Sequence, residues 1–302
     1  MGVEMPGALW GPLIVLGLSG GMAMWRLLVG PLTVSPDGMR YLAMGAGIPV
    51  SMPFRLRWLA PAVCRDSIAR WRCWTAVHVA ALPALTAMWL SHWVDDPLRC
   101  ALGGLLVVGL PGLWQINLRW GVLVDGSSMA WALASAIALQ HEQPLLACAL
   151  AVVCGCIKET GPVFAACFAW SPLPLAGLIV PVVLRLTARR TSDLLGDDDL
   201  LDKPLVAGLV AHYRRWLDPL FMVTPWGVCM AGVLVGDAAV LPMLVITLTI
   251  AYGQLLVATD TVRLYQWGAP PLILGTVLVL PTWALGVALV PHLVNPWAGR
   301  GI

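Results

Sequence analysis

The fold is decided by residues 120–161, which read WGVLVDGSSMAWALASAIALQHEQPLLACALAVVCGCIKETG. Two apolar runs, 120–140 and 144–157, are joined by a short polar turn, and the stretch carries charge only at Asp125, at Glu142 in the turn and at Lys158-Glu159. The apolar residues do not alternate with polar ones, which favours helices over strands. The stretch predicts two antiparallel helices that present Asp125 and Lys158-Glu159 at the same end.

The composition of the whole chain extends this interpretation. Of its 302 residues, 59% are hydrophobic and 11% are charged, and the mean hydropathy is +0.83. A soluble domain carries about 25% charged residues. We therefore expect an integral membrane protein, built from helices because lipid leaves backbone groups no other partner. The net charge of +2 is too small to suggest a nucleic-acid partner.

The predicted fold is all-α, a polytopic membrane helix bundle of about ten helical segments in one domain, 1–302. A crossing needs about 20 residues, and several runs reach that length. Pro172 and Pro174 favour a break within 161–187, because the residue before a proline resists the helical conformation. The apolar runs are 7–30, 73–94, 100–118, 120–140, 144–157, 161–170, 173–187, 219–236, 238–258 and 268–291.

Two long polar connections separate these runs, an interfacial helical loop at 31–72 and a second loop at 188–218. Connections of this length in a compact fold are usually functional. Counting one crossing per run puts the charged segments on one face of the membrane. These segments are Asp37/Arg40, Arg55/Arg57, Asp125, Lys158/Glu159, 185–218 and Asp260/Arg263.

Ser35-Pro36-Asp37-Gly38 has the pattern of a helix start, with Ser35 as the N-cap and Pro36 at the first position. Asp37 then lies in the first turn, where the helix dipole favours a carboxylate. It either completes this helix start or serves as a general base at the membrane surface. Arg40 and Tyr41 follow one turn later and are expected to face the same cleft.

The other charged residues each have a structural and a functional interpretation. Arg55 and Arg57 either snorkel from an interfacial helix or bind phosphate, which the planar guanidinium suits. Asp125 either caps a helix or faces Asp37 as a second carboxylate. Adjacent side chains diverge on a helix, so Lys158 and Glu159 are not expected to pair with each other.

Late in the chain, Asp260 and Arg263 are spaced as an i, i+3 ion pair, and a local salt bridge is the simpler interpretation. The eight Cys and five His show no zinc spacing, and no metal site is predicted. The acidic run 197–199 is expected to be a solvated loop.

In this series of motifs the chain resembles the type C glycosyltransferases, multispanning enzymes that use lipid-phosphate-linked sugars. The resemblance spans residues 7–291. The matching features, in chain order, are Ser35-Pro36-Asp37-Gly38, Pro53-Phe54 with Arg57 and Pro61, the helix opening with Asp125, Lys158-Glu159-Thr160-Gly161, and Arg263-Leu264-Tyr265 before Pro270.

The resemblance implies inverting transfer of a sugar from a polyprenyl-phosphate donor to a hydroxyl acceptor, with the lipid tail in a groove between helices. Some members of the family use a divalent cation, but the sequence shows no convincing ligand set for one, and no cofactor is predicted. Asp37 is then the general base, Asp125 and Glu159 orient the base, the sugar or a cation, and Asp260 is a supporting residue. The residues expected to bind the donor and its phosphate are Arg40, Tyr41, Arg55, Arg57, Lys158, Arg263 and Tyr265.

The family resemblance and the distribution of positive charge assign the site to opposite sides of the membrane. The family resemblance implies a bacterial plasma-membrane protein with its site on the extracytoplasmic face. The face that carries the site also carries most of the Lys and Arg, and the positive-inside rule assigns such a face to the cytoplasm. We favour the family orientation. Two other functions fit the same charges: a transporter or flippase of an anionic lipid or metabolite, and a non-catalytic membrane assembly subunit.

Overall fold

The computed structural model describes residues 10–30, 33–187, 218–256 and 262–294. The regular structure of these ranges is helical, and no strand occurs within them, so the all-α prediction is confirmed. Asp260 and nearly all of the predicted second polar loop lie outside the described residues.

The helices of the first part of the chain are α1 (Trp10–Val29), α2 (Pro36–Gly45), α3 (Leu59–Cys64), α4 (Ile68–Leu90), α5 (Pro97–Leu106), α6 (Ile116–Arg119), α7 (Asp125–Gln140), α8 (Pro144–Ile157), α9 (Gly161–Ala169) and α10 (Ile179–Thr187). They are followed by α11 (Pro219–Val223), α12 (Val240–Gly253), α13 (Val262–Tyr265), α14 (Ala269–Val279) and α15 (Thr282–Leu293). Short 3-10 turns join several of them, and a π-helical segment, Pro111–Gln115, precedes α6.

Two helices, α1 and α4, are long and apolar enough to cross a membrane. A third span is added if Pro97–Gly109 and Pro111–Arg119, which meet at an angle of 68°, count as one broken span. The other apolar helices among the described residues are shorter. A bundle of ten full spans is therefore not confirmed.

Prolines set two of the helix boundaries. The predicted break within 161–187 is confirmed: α9 ends at Ala169, and a 3-10 turn, Leu173–Leu178, intervenes before α10. The prediction of one continuous run at 268–291 is wrong, because α14 ends at Val279 and α15 begins at Thr282. Pro281 lacks an N–H group and disfavours the helical conformation at Leu280, whose backbone is extended (φ −89°, ψ 135°).

The site region is held by one apolar cluster at one end of the helices. The cluster packs α2 and α3, both from the interfacial loop 31–72, against the starts of α4 and α7 and the end of α8. Because α4 packs on α1 and α7, and α7 on α8 and α9, these helix ends lie close together. The buried members of the cluster are Tyr41, Ala60, Cys64, Trp71, Val122, Val124 and Ile157.

Candidate functional site

Asp37 is positioned by the helix start that the sequence predicts. The Ser35 hydroxyl accepts a hydrogen bond from the Gly38 N–H at 3.0 Å, and Pro36 takes the first helical position. A Cβ at Gly38 would lie 2.9 Å from the Val122 carbonyl oxygen, so only glycine lets this turn approach the residues before α7 so closely. This close approach brings Asp37 near Asp125.

Arg263 joins the two carboxylates. Its Nη2 donates to Asp37 Oδ2 at 2.7 Å, and its Nη1 donates to Asp125 Oδ2 at 3.1 Å. The Asp125 side chain is 4% exposed, whereas that of Asp37 is 30% exposed. The guanidinium therefore links an interior carboxylate to one that a ligand can reach.

Lys158 completes the interior part of this network. Its Nζ donates to Asp125 Oδ1, so the two oxygens of Asp125 each hold a different cation. The same Nζ lies 5.1 Å from the centre of the Trp267 ring, within the range of a cation–π interaction. Buried charges are tolerated when they are paired in this way.

Glu159, next in the chain, points to a different partner, as the sequence predicts. Arg57 donates to its carboxylate from Nε at 2.8 Å and from Nη2 at 2.7 Å, a bidentate pair. Burial raises the pKa of the Glu159 carboxyl, but the adjacent Arg57 guanidinium outweighs burial, and the pKa lies below its usual value. Glu159 is therefore ionised at neutral pH.

Tyr41 holds the other side of Arg57. Its hydroxyl accepts a hydrogen bond from Arg57 Nη1 at 2.8 Å, and its ring stacks on Trp71. Burial raises the pKa of this phenol far above its usual value, despite the opposing effect of Arg57. Three N–H groups of Arg57 are thus already engaged, so this side chain supports the site from within.

Arg40 lies beside Asp37, and its own side chain is buried. Its Nη1 lies 3.8 Å from Asp37 Oδ1, and its guanidinium lies 4.9 Å from the centre of the Phe54 ring. Arg57 approaches the same ring at 5.4 Å. Phe54, on a 3-10 turn of the interfacial loop, therefore contacts both arginines.

Three residues that the sequence did not single out fix the backbone around Arg263. The Gly112 N–H in the π segment donates to Gln266 Oε1, and a Cβ at Gly112 would lie 3.0 Å from the Cα of Arg263. Asn117 donates to the Gly112 carbonyl and accepts from the Gly126 N–H at the start of α7. In the sequence, an amide side chain within an apolar run, as Asn117 is in 100–118 close to Pro111-Gly112, is the signal that would have indicated this part.

The expected convergence of distant charges is thus seen for Asp37, Arg40, Asp125, Lys158 and Arg263, with Arg57, Glu159 and Tyr41 beside them. Tyr265 is not part of it, because its hydroxyl donates to the Phe221 carbonyl and its ring stacks on Tyr252. Arg55 lies half-buried on the turn that holds Phe54. The interpretation of Arg263 as a local partner of Asp260 concerns a residue outside the described ranges.

A divalent cation, which the family resemblance allows, does not fit the residues present. Within the described ranges, no group of three or more His, Cys, Asp or Glu side chains is placed to hold a metal ion. Asp37 and Asp125 both pair with Arg263. A cation there would meet a guanidinium at the same position.

The arrangement as a whole suits an anionic ligand. Four cationic side chains (Arg40, Arg57, Lys158 and Arg263) accompany three carboxylates (Asp37, Asp125 and Glu159), which leaves one positive charge in excess. Comparison with known proteins adds no further indication, because no family model, no curated protein and no solved structure matches the chain.

Proposed function

We propose that this chain is an integral membrane glycosyltransferase that moves a sugar from a polyprenyl-phosphate donor to a hydroxyl acceptor. The observation that carries the proposal is the partly exposed carboxylate of Asp37, held at the edge of a buried cationic cluster at one end of apolar helices. Inverting transfer needs a general base for the acceptor hydroxyl and cations that stabilise the leaving phosphate, and the cluster contains groups of both kinds.

In the proposed reaction, the acceptor oxygen forms a bond to the anomeric carbon of the sugar while the bond from that carbon to the phosphate oxygen breaks. The acceptor proton goes to Asp37, and the electron pair of the breaking bond stays on the lipid phosphate. Attack from the side opposite the phosphate inverts the anomeric centre. No other reactant is needed.

The cations take separate parts in this scheme. Arg263 and Arg40 lie next to Asp37 and would meet the phosphate, whereas Lys158 holds Asp125 in the interior. Asp125 orients Arg263, while Glu159 and Tyr41 hold Arg57. The interior residues therefore position the groups that contact the donor.

The membrane part of the proposal is supported by composition and by α1, most of whose apolar side chains are exposed. Exposed apolar surface of this extent on a 20-residue helix is expected where the helix faces lipid. The family resemblance adds the plasma membrane and an extracytoplasmic site.

The decisive experiment incubates the purified protein with a panel of polyprenyl-phosphate sugars and an alcohol acceptor, and measures the release of polyprenyl phosphate. We expect release with at least one donor, and its loss in Asp37→Asn. Asp66→Asn is the matched control, since Asp66 is an exposed carboxylate of the same interfacial loop. Full release by Asp37→Asn would discard Asp37 as the base.

A transporter or flippase of an anionic lipid is the second candidate. The observation that favours it is the break between Pro97–Gly109 and Pro111–Arg119, whose π segment lies against Arg263. Broken helices commonly surround transporter sites. Protein reconstituted in vesicles that moves a fluorescent polyprenyl phosphate between leaflets, without cleaving any lipid-linked sugar, would favour this candidate.

A further inference from the structure

Asp37 is engaged in the arrangement seen here, and this bears on how the proposed reaction begins. Its Oδ2 accepts a hydrogen bond from Arg263, and its Oδ1 faces Arg40. A base must direct a lone pair at the acceptor hydroxyl. The hydrogen bond from Arg263 takes one lone pair of Oδ2 and turns the carboxylate toward the guanidinium.

Arg263 makes two contacts of unequal accessibility. The one to Asp125 is interior, and Asp125 is also held by Lys158. The one to Asp37 lies nearer the surface: the carboxylate is 30% exposed and covers the Arg263 side chain, which is 6% exposed. An incoming anion can therefore displace Asp37 from Arg263 without disturbing the pair behind it.

A phosphate monoester or diester is a suitable competitor for this position. A guanidinium binds phosphate oxygens with the same planar geometry that it uses for a carboxylate. Arg40, on the other side of Asp37, adds a second cation within reach. The phosphate that the proposed donor carries thus competes directly with Asp37 for Arg263.

We propose that Asp37 is a latch on the phosphate site, so that the phosphate-bearing donor binds first and releases the base for the acceptor. This inference rests on the proposed function and deepens it by fixing the order of binding. Asp37 then has two successive partners: Arg263 before the donor arrives, and the acceptor hydroxyl afterwards. The interior network of Asp125, Lys158 and Arg263 stays intact throughout.

The test measures equilibrium binding of a short-chain polyprenyl monophosphate, which carries no sugar, to the full chain in detergent. If Asp37 competes with phosphate, Asp37→Asn binds the lipid at least about fivefold more tightly than the unaltered protein, because one partly exposed ion pair no longer has to be broken. Asp37→Ala, which removes the carboxylate altogether, is expected to do the same. Asp66→Asn removes an equal charge away from the network and is expected to leave binding unchanged.

Equal or weaker binding by both Asp37 variants would overturn the latch. If sugar transfer is nevertheless lost in Asp37→Asn, the proposed function stands without it. If neither the unaltered protein nor any variant binds the lipid phosphate, the latch and the phosphate site of the proposed function both fail. Tighter binding in Asp66→Asn to the same degree would assign the effect to net charge and would also overturn the latch.

Discussion

Asp125 is the residue on which the other charges of the site depend. Its side chain is buried, and its two oxygens hold Lys158 and Arg263, which come from distant parts of the chain. A buried ion pair itself adds little to the stability of the fold. Removing one partner is strongly destabilising, because the other charge is then buried without a counter-ion. The energetic effect of a substitution at Asp125 therefore comes mainly from the cations that it leaves behind.

Asp125→Asn keeps the shape of the side chain and removes its charge. We expect the free energy of unfolding to fall by about 3 kcal/mol, since Lys158 and Arg263 lose their interior counter-ion. Thermal unfolding of the purified protein in detergent measures the change. Asp95→Asn removes a carboxylate at an exposed position outside the network; it is the control and should unfold like the unaltered protein. An equally small effect of both substitutions would show that the buried network contributes little to stability.

Glu159 gives the site a defined pH dependence. Its pKa in the folded protein is lowered, so the unfolded chain binds the proton more readily than the folded one. The stability from the Arg57 pair is therefore fully present above the unfolded pKa of Glu, about 4.3, and is lost as the pH falls through the folded pKa.

Glu159→Gln tests this sign. At pH 7 the variant is expected to unfold at a lower temperature than the unaltered protein, and the gap should narrow as the pH falls below about 4. Melting curves collected from pH 7 to pH 3 in the same detergent provide the measurement. A gap that stays constant over this range would mean that the ion pair with Arg57 is not its cause.

At the scale of elements, the close approach of α2 to the residues before α7 is what brings the first carboxylate to the second. Gly38 makes that approach possible, because a Cβ there would meet the Val122 carbonyl oxygen and the Val34 side chain. The cap at Ser35 fixes the direction of the helix, and the glycine fixes how near it comes. The cap and the glycine together therefore determine where Asp37 lies relative to Asp125.

Gly38→Ala is expected to lower the free energy of unfolding by about 1–3 kcal/mol, as overpacking in a well-packed region does. It should also reduce sugar transfer, because α2 carries Asp37 away from Arg263. Gly20→Ala is the matched control: no atom lies within 4 Å of its added Cβ, and alanine favours the helix. Unchanged stability and transfer in Gly38→Ala would show that α2 can shift without affecting the site.

Local rules predicted the elements whose cause is local. The Ser35-Pro36 helix start and the break near Pro172 follow from the conformational limits of those residues, and both are confirmed. The separation of α14 from α15 at Pro281 follows from the same limits, but it was not predicted, because the residues on both sides of Pro281 are apolar and resemble one continuous helix. The 68° bend likewise falls at a proline, since Leu110 before Pro111 has an extended backbone (φ −85°, ψ 111°). What no local rule predicts is the contact of the π segment with Gln266, which lies 154 residues away in the chain.

The partners of Arg263 illustrate what a single sequence does not contain. Its nearest acidic neighbour in the chain is Asp260, yet the carboxylates it contacts are Asp125 and Asp37, separated from it by 138 and 226 residues. The expectation that such charges meet came from counting crossings and from the family resemblance. Which pairs form is decided by the packing of α2, α7 and α13, and no spacing rule specifies that.

At the scale of the whole molecule, the site lies at the end of the helices where α4 and α7 begin and α8 ends. The short turn between α7 and α8, which holds His141, lies at the opposite end of those two helices. Arginines crowd the site end, which the positive-inside rule would place in the cytoplasm. If the site binds phosphate, those arginines serve the ligand and not the orientation of the chain, so their number does not assign this end to the cytoplasm.

Labelling of single introduced cysteines with a membrane-impermeant maleimide decides the orientation. With the exposed Cys73 and the half-buried Cys148 replaced by serine, Asp66→Cys is expected to react in intact cells, because it lies in the corner between α3 and α4 at the site end. His141→Cys should react only after the membrane is permeabilised. The reverse pattern would put the site in the cytoplasm and would restore the positive-inside argument. Reaction of both positions in intact cells would contradict the proposal that the site and the α7–α8 turn lie on opposite sides of the membrane.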